Sequence, residues 1–423
     1  MKNTFTVTTV LTFLVFSFFL INTANKSFGY KNVLSLRFLI KKALKNPDIT
    51  SSELRTEEKK ENIAIAKALP EPVAGIGLTD ANGFNNPGIG VNSMSDLGFS
   101  ISQKIPFPTK LETKSSIKKY SYMSLKEKTM ALKTTTVYLV KKSYYNLALI
   151  EKEIDVIKYD RMLLNVIQKD ISQKYGTGTI SAAAYIRTML EDASLKSKLF
   201  TLNNGESGII YSLKELTGLK YSYIKSGIAA IPRIKLKEFN EKEVIKTAYR
   251  DNPELNSLRY ISKQSGYELS YARQSYLPDL YLKAAYGDRY SMVPVLSAYI
   301  GLSLPVYFNS YQKPLINKAK KYRLSTAYDI GWEKLRILKN INIYTKNMRL
   351  DKDNYKLYKS LYVPEAKLLF KAEISSFEVK RTSAFSLLNS FKKLINSEFQ
   401  KNIYNAKYYM DKSGLEQVMG EIK

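Results

Sequence analysis

Apolar and small residues alternate along four short stretches of the chain. In Val73–Thr79 and Leu97–Ser102, extended geometry places Ile76, Leu78, Leu97, Phe99 and Ile101 on one face. Gly75, Gly77, Gly98, Ser100 and Ser102 fall on the other, the two-residue period of a strand with unlike faces. Farther on, Leu280, Leu282, Ala284 and Tyr286 alternate with Tyr281 and Lys283, and Ile300, Leu302 and Leu304 alternate with Tyr299, Gly301 and Ser303. Such strands fit either a soluble sheet packed on one side or a membrane barrel with a wet lumen, and the pattern alone favours the soluble sheet. Tyr286, Tyr290, Tyr299 and Tyr307 stand near strand ends, where an interfacial girdle would place them, but tyrosine is abundant throughout the chain. Four strands leave two open edges whose N–H and C=O groups lipid cannot satisfy, so a barrel would need several chains.

Between and after the strands the apolar period lengthens to 3.5 residues. From Pro108 to Tyr175 there is no proline, and as helix that stretch would run roughly 100 Å. Its seam of Leu147, Ile150, Ile154, Ile157, Leu164 and Ile171, interrupted by Arg161 and Gln168, predicts left-handed coiled-coil packing. A second seam holds Ile337, Ile341, Tyr344, Met348, Tyr355, Tyr358 and Tyr362, with Asp351 inside it. A carboxylate there is costly unless paired or hydrated. Pro364 predicts a break or kink near Tyr362. Both rods are expected to reverse in comparable turns, at Tyr175-Gly-Thr-Gly178 followed by Thr179-Ile180-Ser181, and at Leu369-Phe-Lys-Ala372 followed by Glu373-Ile374-Ser375.

These elements occur in the same order twice. Asn46-Pro47, Pro70, Pro106, Gly178 and Leu216-Thr217-Gly218 are echoed about 200 residues later by Asn252-Pro253, Pro278, Pro305, Ala372 and Gly414, far beyond the 20–50-residue period of solenoid modules. The reading is a duplicated half-domain: residues 1–29 a signal peptide, 30–230 a first repeat and 231–423 a second. Lys2, the apolar run from Val10 to Ile21, and small residues at Ser27 and Gly29 carry the signal reading. An uncleaved anchor is the alternative, with a run shorter than the ~20 residues a spanning helix needs.

Composition narrows the chemistry. The chain has neither cysteine nor histidine, so disulfides, N-terminal lipid attachment, the usual metal ligand and the usual general base are all missing. No nucleophile–base pair or phosphate loop stands out; no catalytic residue, cofactor or metal is expected. A formal net charge of +28 raises nucleic acid as a partner. The lysines are spread over the whole chain without a ribonucleoprotein-type motif, and nucleic acid is set aside.

The sequence of Pro70, two strands, Gln103-Lys-Ile-Pro-Phe-Pro-Thr-Lys110, long helix, Tyr-x-x-Gly turn and Leu216-Thr-Gly218, then Asn252-Pro-Glu-Leu255, Tyr276-Leu-Pro-Asp279 and Leu304-Pro305, resembles the TolC-like outer-membrane efflux proteins over nearly all of the mature chain. The stretch from Gln103 to Lys110 looks most like the branch associated with heavy-metal efflux. The resemblance implies an α+β membrane protein with four barrel strands per chain and long antiparallel coiled-coil helices. A homotrimer would close a 12-stranded barrel in the outer membrane and continue as an α-helical tunnel through the periplasm. Its partners would be a periplasmic adaptor, docking on the tips at Tyr175, Gly178, Ile180, Ser181, Leu369, Ala372, Ile374 and Ser375, and an inner-membrane pump. Where the family often carries two acidic residues one helical turn apart, this chain has Glu378 and Arg381; with Asp351 they are the gate or selectivity candidates, expected to share a helical face. The alternative function is a secreted or cell-surface coiled-coil interaction protein whose strands only cap its helices.

Overall fold

The computed structural model describes residues 33–79, 95–234, 240–289, 292–379 and 381–422. The expected signal peptide, Tyr290 and Lys380 lie outside them. In chain order the helices are α1 (Leu36–Ala43), α2 (Pro47–Lys67), α3 (Pro108–Gly176), α4 (Ala182–Thr217), α5 (Tyr221–Ser226), α6 (Glu241–Asp251), α7 (Pro253–Arg273), α8 (Lys313–Leu357), α9 (Val363–Glu378) and α10 (Ala384–Val418). Strands β1 (Val73–Thr79) and β2 (Asp96–Ile105) precede α3, and β3 (Leu280–Arg289) and β4 (Val295–Leu302) precede α8. Leu304 falls beyond β4, where Pro305 ends the pairing.

Two of the helices begin alike. Asn46 and Asn252 each cap a 21-residue helix opened by proline, and their side chains accept from the backbone N–H groups of Ile49 at 2.8 Å and Leu255 at 2.9 Å. Proline fits this first turn because its missing N–H would have had no helical partner there. The matching ends differ from the sequence expectation. Gly218 closes α4 at φ +68°, and its counterpart is Gly420 at φ +80°, not Gly414. Gly414 lies inside α10, where a Cβ would come within 2.4 Å of the Tyr344 ring. That glycine admits an aromatic ring to the seam rather than ending a helix.

The chain divides into two compact units that do not follow the repeat, since each draws on both halves. The sheet-bearing unit comprises Leu44–Tyr138, Leu236–Arg349 and Asp411–Lys423. Its sheet is a four-stranded antiparallel meander in the order β1-β2-β3-β4, with Ile76 opposite Phe99, Phe99 opposite Tyr286 and Tyr286 opposite Leu296. The expected faces are therefore continuous across all four strands.

The helical unit comprises residues up to Ala43, Leu139–Lys235 and Leu350–Met410. Its core joins Ile157, Leu164 and Ile171 of α3 to Leu195 of α4, Phe370 and Phe377 of α9, and Leu388, Phe391 and Ile395 of α10. The interruptions in the first seam have partners: Arg161 pairs with Asp192 at 2.9 Å, and the Gln168 amide donates to the Thr188 carbonyl at 2.9 Å. Asp351 is buried, in the seam where its spacing placed it.

Pro364 does not break the second rod. A π turn at Tyr358–Tyr362 leads directly into α9, with the Val363 N–H reaching back to the Tyr358 carbonyl. One extra residue is absorbed, and the buried line passes from Met348 and Asp351 to Val363, Phe370 and Phe377, leaving Tyr362 exposed. Proline lacks the N–H that the carbonyl four residues earlier would accept. Widening the turn accommodates that loss without ending the helix.

One carboxylate in the helical unit is poorly served. Asp160 is buried on α3, and its Oδ2 has no hydrogen-bond partner among the described residues. Burial, and then the Glu398 charge, push its pKa up to about 8, against an opposing pull from Lys198. Glu398 itself is partly buried, but Lys401 and Lys367 more than offset that burial and hold it below the usual carboxylate range. A carboxyl whose folded pKa is raised contributes stability fully below its unfolded pKa of about 4 and loses it as pH climbs through 8. Asp160→Asn should therefore remove a pH-dependent loss of thermal stability. Melting curves of variant and wild type should nearly coincide at pH 5 and separate at pH 9, with the variant melting higher; equal melting temperatures at pH 9 would contradict the assignment.

Candidate functional site

Three places in the chain carry the functional expectations: the sheet, the junction below it and the helix reversals. Along β2 the exposed positions are Leu97, Phe99 and Ile101, while Gly98, Ser100 and Ser102 are the more covered. This reverses the order of a soluble half-buried strand. On the same face Ile76 is 73 % exposed, Leu296 82 % and Ile300 78 %, so nothing among the described residues covers them. The strand cations are sorted as sharply. Lys104, Lys283 and Arg289 all occupy the polar face in the observed register, and the apolar face carries none. A sheet whose apolar side is bare and whose cations all avoid that side is built for an apolar medium.

The strands are fastened to the helices by one carboxylate. Asp279, just before β3, accepts from the Phe107 N–H at 3.1 Å and from Lys110 Nζ at 2.7 Å through Oδ1, while Oδ2 faces Lys104 at 3.2 Å. Its backbone pairs with Ser303, just beyond β4 at the same end of the sheet: the Asp279 N–H donates to Ser303 Oγ at 2.7 Å and the Ser303 N–H to the Asp279 carbonyl at 2.9 Å. Lys110 also donates to the Leu277 carbonyl at 2.7 Å, and the Gln103 amide to the Pro70 carbonyl at 2.8 Å. Residues from before β1, the end of β2, the start of α3 and both ends of the second hairpin are thus held at one level. The motifs Gln103–Lys110 and Tyr276–Asp279 were legible as motifs; that one binds the other was not.

At the first reversal the expected residues are together. Gly178 takes φ +70°, the Thr179 N–H reaches the Lys174 carbonyl at 2.8 Å, and the Gly178 N–H reaches the Tyr175 carbonyl at 2.9 Å. This is a Schellman closure, for which glycine is the cheapest residue. The Tyr175 ring stacks on Tyr185 at 5.6 Å, and Ser181 stands at the N-cap of α4.

The second reversal is not where the sequence placed it. Leu369, Ala372, Ile374 and Ser375 all lie within α9, which runs on to Glu378; the chain turns at 379–383. The counterpart of Tyr175-x5-Ser181 is Phe377-x5-Ser383, which has no glycine. Side chains hold this turn instead: Thr382 and Ser386 hydroxyls donate to the Glu373 carboxylate at 2.8 Å each, and Ser383 Oγ accepts from the Ser386 N–H at 3.2 Å. The adjacent Thr382-Ser383 before an apolar run was the available signal, an N-cap signature. The gate reading changes with it. Arg381 lies outside the helix that ends at Glu378, both side chains are exposed, and no ion pair joins them among the described residues. They do not share a helical face.

The two reversals border one groove of about 430 Å³ within the helical unit. Thr179, Ile180 and Ser181 line it from one side and Phe377, Thr382 and Phe385 from the other. Lys174 Nζ sits 4.1 Å from the Phe377 ring centre, and the Arg187 guanidinium 4.7 Å from that of Phe385. No helix is long and apolar enough to cross a membrane, and no group of acidic residues is placed to hold a metal ion, among the described residues.

No protein-family model and no curated protein matches the sequence. Solved structures do match the fold. The outer membrane protein VceC from Vibrio cholerae is 13 % identical, with 91 % of this chain and 96 % of that one covered at a TM-score of 0.77. The CmeC outer membrane channel of Campylobacter jejuni is 15 % identical, covering 91 % and 85 % at 0.77. CusC, described in terms of folding and transmembrane channel formation, is 13 % identical, covering 94 % and 95 % at 0.76. The chain has the TolC-like fold of these outer-membrane channels.

The junction yields a prediction. Burial raises the Asp279 pKa, but Lys110, the Phe107 N–H and Lys104 more than compensate and hold it below the usual carboxylate range. A carboxylate with a depressed pKa contributes stability above its unfolded pKa of about 4 and loses it as pH falls through the folded value. Asp279→Asn should therefore lower the melting temperature at pH 7, and the difference from wild type should shrink as pH falls below the ordinary carboxylate range. A constant difference between the two across that range would assign the loss to packing rather than charge.

Proposed function

We propose that the chain is the outer-membrane channel of an export system, a passive conduit without catalytic residues. The observation that carries this is the sheet: an apolar face left bare, a polar face holding every strand cation, and β1 and β4 each with an open edge. Unpaired edge groups have no partner in hydrocarbon, which favours closure by further copies. Three chains would give 12 strands, matching the resemblance, and the helices would form the tunnel on the periplasmic side. The fold shared with outer-membrane channels supports the same reading. In this reading residues 30–230 and 231–423 are the two copies of a duplicated half, behind a signal peptide at 1–29.

The rival, a surface coiled-coil protein whose strands cap its helices, is disfavoured because the apolar face of the sheet is left exposed among the described residues. Detergent separates the two. Membranes from expressing cells should release the protein only with detergent, and native mass spectrometry of the purified material should give a trimer. A protein washed off by salt or urea, or a folded monomer as the dominant species, would overturn the channel.

Export further implies a periplasmic adaptor and an inner-membrane pump, and the helix reversals are the surfaces offered to the adaptor. Ile180 and Ile374 both rest on the core of the helical unit, so substituting them would mix docking with folding. Val379 and Phe385 are 62 % and 54 % exposed at the second reversal and test docking more cleanly. The double variant Val379→Asp, Phe385→Asp should assemble in normal yield yet lose export and cross-linking to the adaptor. Normal export by that variant would remove the second reversal from the docking surface.

A further inference from the structure

The polar face of the sheet is not merely hydrophilic; its charge is one-sided. Reading across the register, its neighbours run Ser100, Ala285 and Ser297, then Ser102, Lys283 and Tyr299, then Lys104, Tyr281 and Gly301. At one end of the sheet Asp96 stands opposite Arg289. At the other, Lys104 and Lys110 share the single carboxylate of Asp279. Between these ends Lys283 is exposed, flanked by the small Ser102 and by Tyr299, and no carboxylate pairs with it among the described residues. Lysine on the opposite face at this height would cost roughly 2–4 kcal/mol in a bilayer, so its placement fixes which side faces water.

We propose that Lys283 forms a binding site for multivalent oxyanions inside the barrel, resting on the channel reading above. Closure by three chains brings three Lys283 ammonium groups to one level of an enclosed lumen. Walls of low dielectric focus the field of like charges and concentrate counter-ions between them. Among the described residues Lys104, Lys110, Lys283 and Arg289 stand against Asp96 and Asp279 alone, so the partly neutralised groups at either end add to that field rather than cancel it. A site for an anion of several charges results, because one oxyanion cluster can meet three ammonium groups at once. Tyr299 beside each lysine supplies a hydroxyl donor at the same level.

Tripolyphosphate is the probe. Purified trimers reconstituted in planar bilayers should be blocked when it is added on the barrel side, and the block should weaken as salt rises through the range where the Debye length falls below ~10 Å. Lys283→Glu should weaken that block by roughly tenfold or more, since the charge it meets changes sign, and should introduce block by hexamminecobalt(III). Lys283→Arg should keep the wild-type response. Native mass spectrometry of each variant confirms the trimer before recording. Conductance with equal tripolyphosphate block in wild type and Lys283→Glu would overturn this inference alone. Folded trimers with no conductance would overturn the channel reading and this inference with it.

Discussion

A strand edge presents N–H and C=O groups that must find partners, and everything distinctive about this molecule follows from where those partners can be found. In water an open edge is a nuisance; in hydrocarbon each unpaired group costs several kcal/mol. The sheet here has two open edges, and it shows an apolar surface with nothing resting on it. Those features conflict in a soluble monomer and agree in a closed, lipid-embedded assembly. The polar face then becomes the inside, which explains why it is lined with glycine, serine and a few charges rather than with core residues.

In the channel proposed above, a sheet in lipid would have to be anchored to helices in water, and Asp279 makes that join. A carboxylate shared by two lysines and a backbone N–H is well satisfied, because charge-assisted hydrogen bonds are stronger than neutral ones. Its own backbone closes the second hairpin against Ser303. The helical unit solves a different problem by a different means, packing phenylalanine, leucine and isoleucine from four helices into one core and relegating charge to its margins. Asp160 is an exception, and burial raises its pKa.

Periodicity made most of this legible beforehand. The four strands, their two faces, the 69-residue α3, the first seam and the second as far as Asp351 follow from alternation at two residues and at 3.5. Their duplication exposed the element order. Two of the misses share a cause: a reversal or helix end is read from a small residue, Ala372 or Gly414, at the matching place in the repeat. Where glycine is present at positive φ, as at Gly178 and Gly218, the marker worked. At the second reversal Thr382, Ser383 and Ser386 replace it through hydrogen bonds to Glu373, and at Gly414 the residue serves packing. Side-chain caps and ring contacts depend on partners remote in sequence, so a local pattern could not separate these roles. Bare exposure of the apolar face was likewise beyond the sequence, because alternation is the same whether a strand meets a core or lipid.

The π turn before Pro364 has a geometric consequence. A helix advances about 100° per residue, so an inserted residue that the helix failed to absorb would rotate everything beyond it by that angle about the helix axis. The wide turn takes up that residue instead, and α9 keeps the side that places Phe370 and Phe377 on the core. Deleting one residue between Tyr358 and Tyr362 would close the wide turn into an ordinary one and leave that side in place. The wide turn is thus an angular correction, by which the rod gains a residue without re-aiming its end.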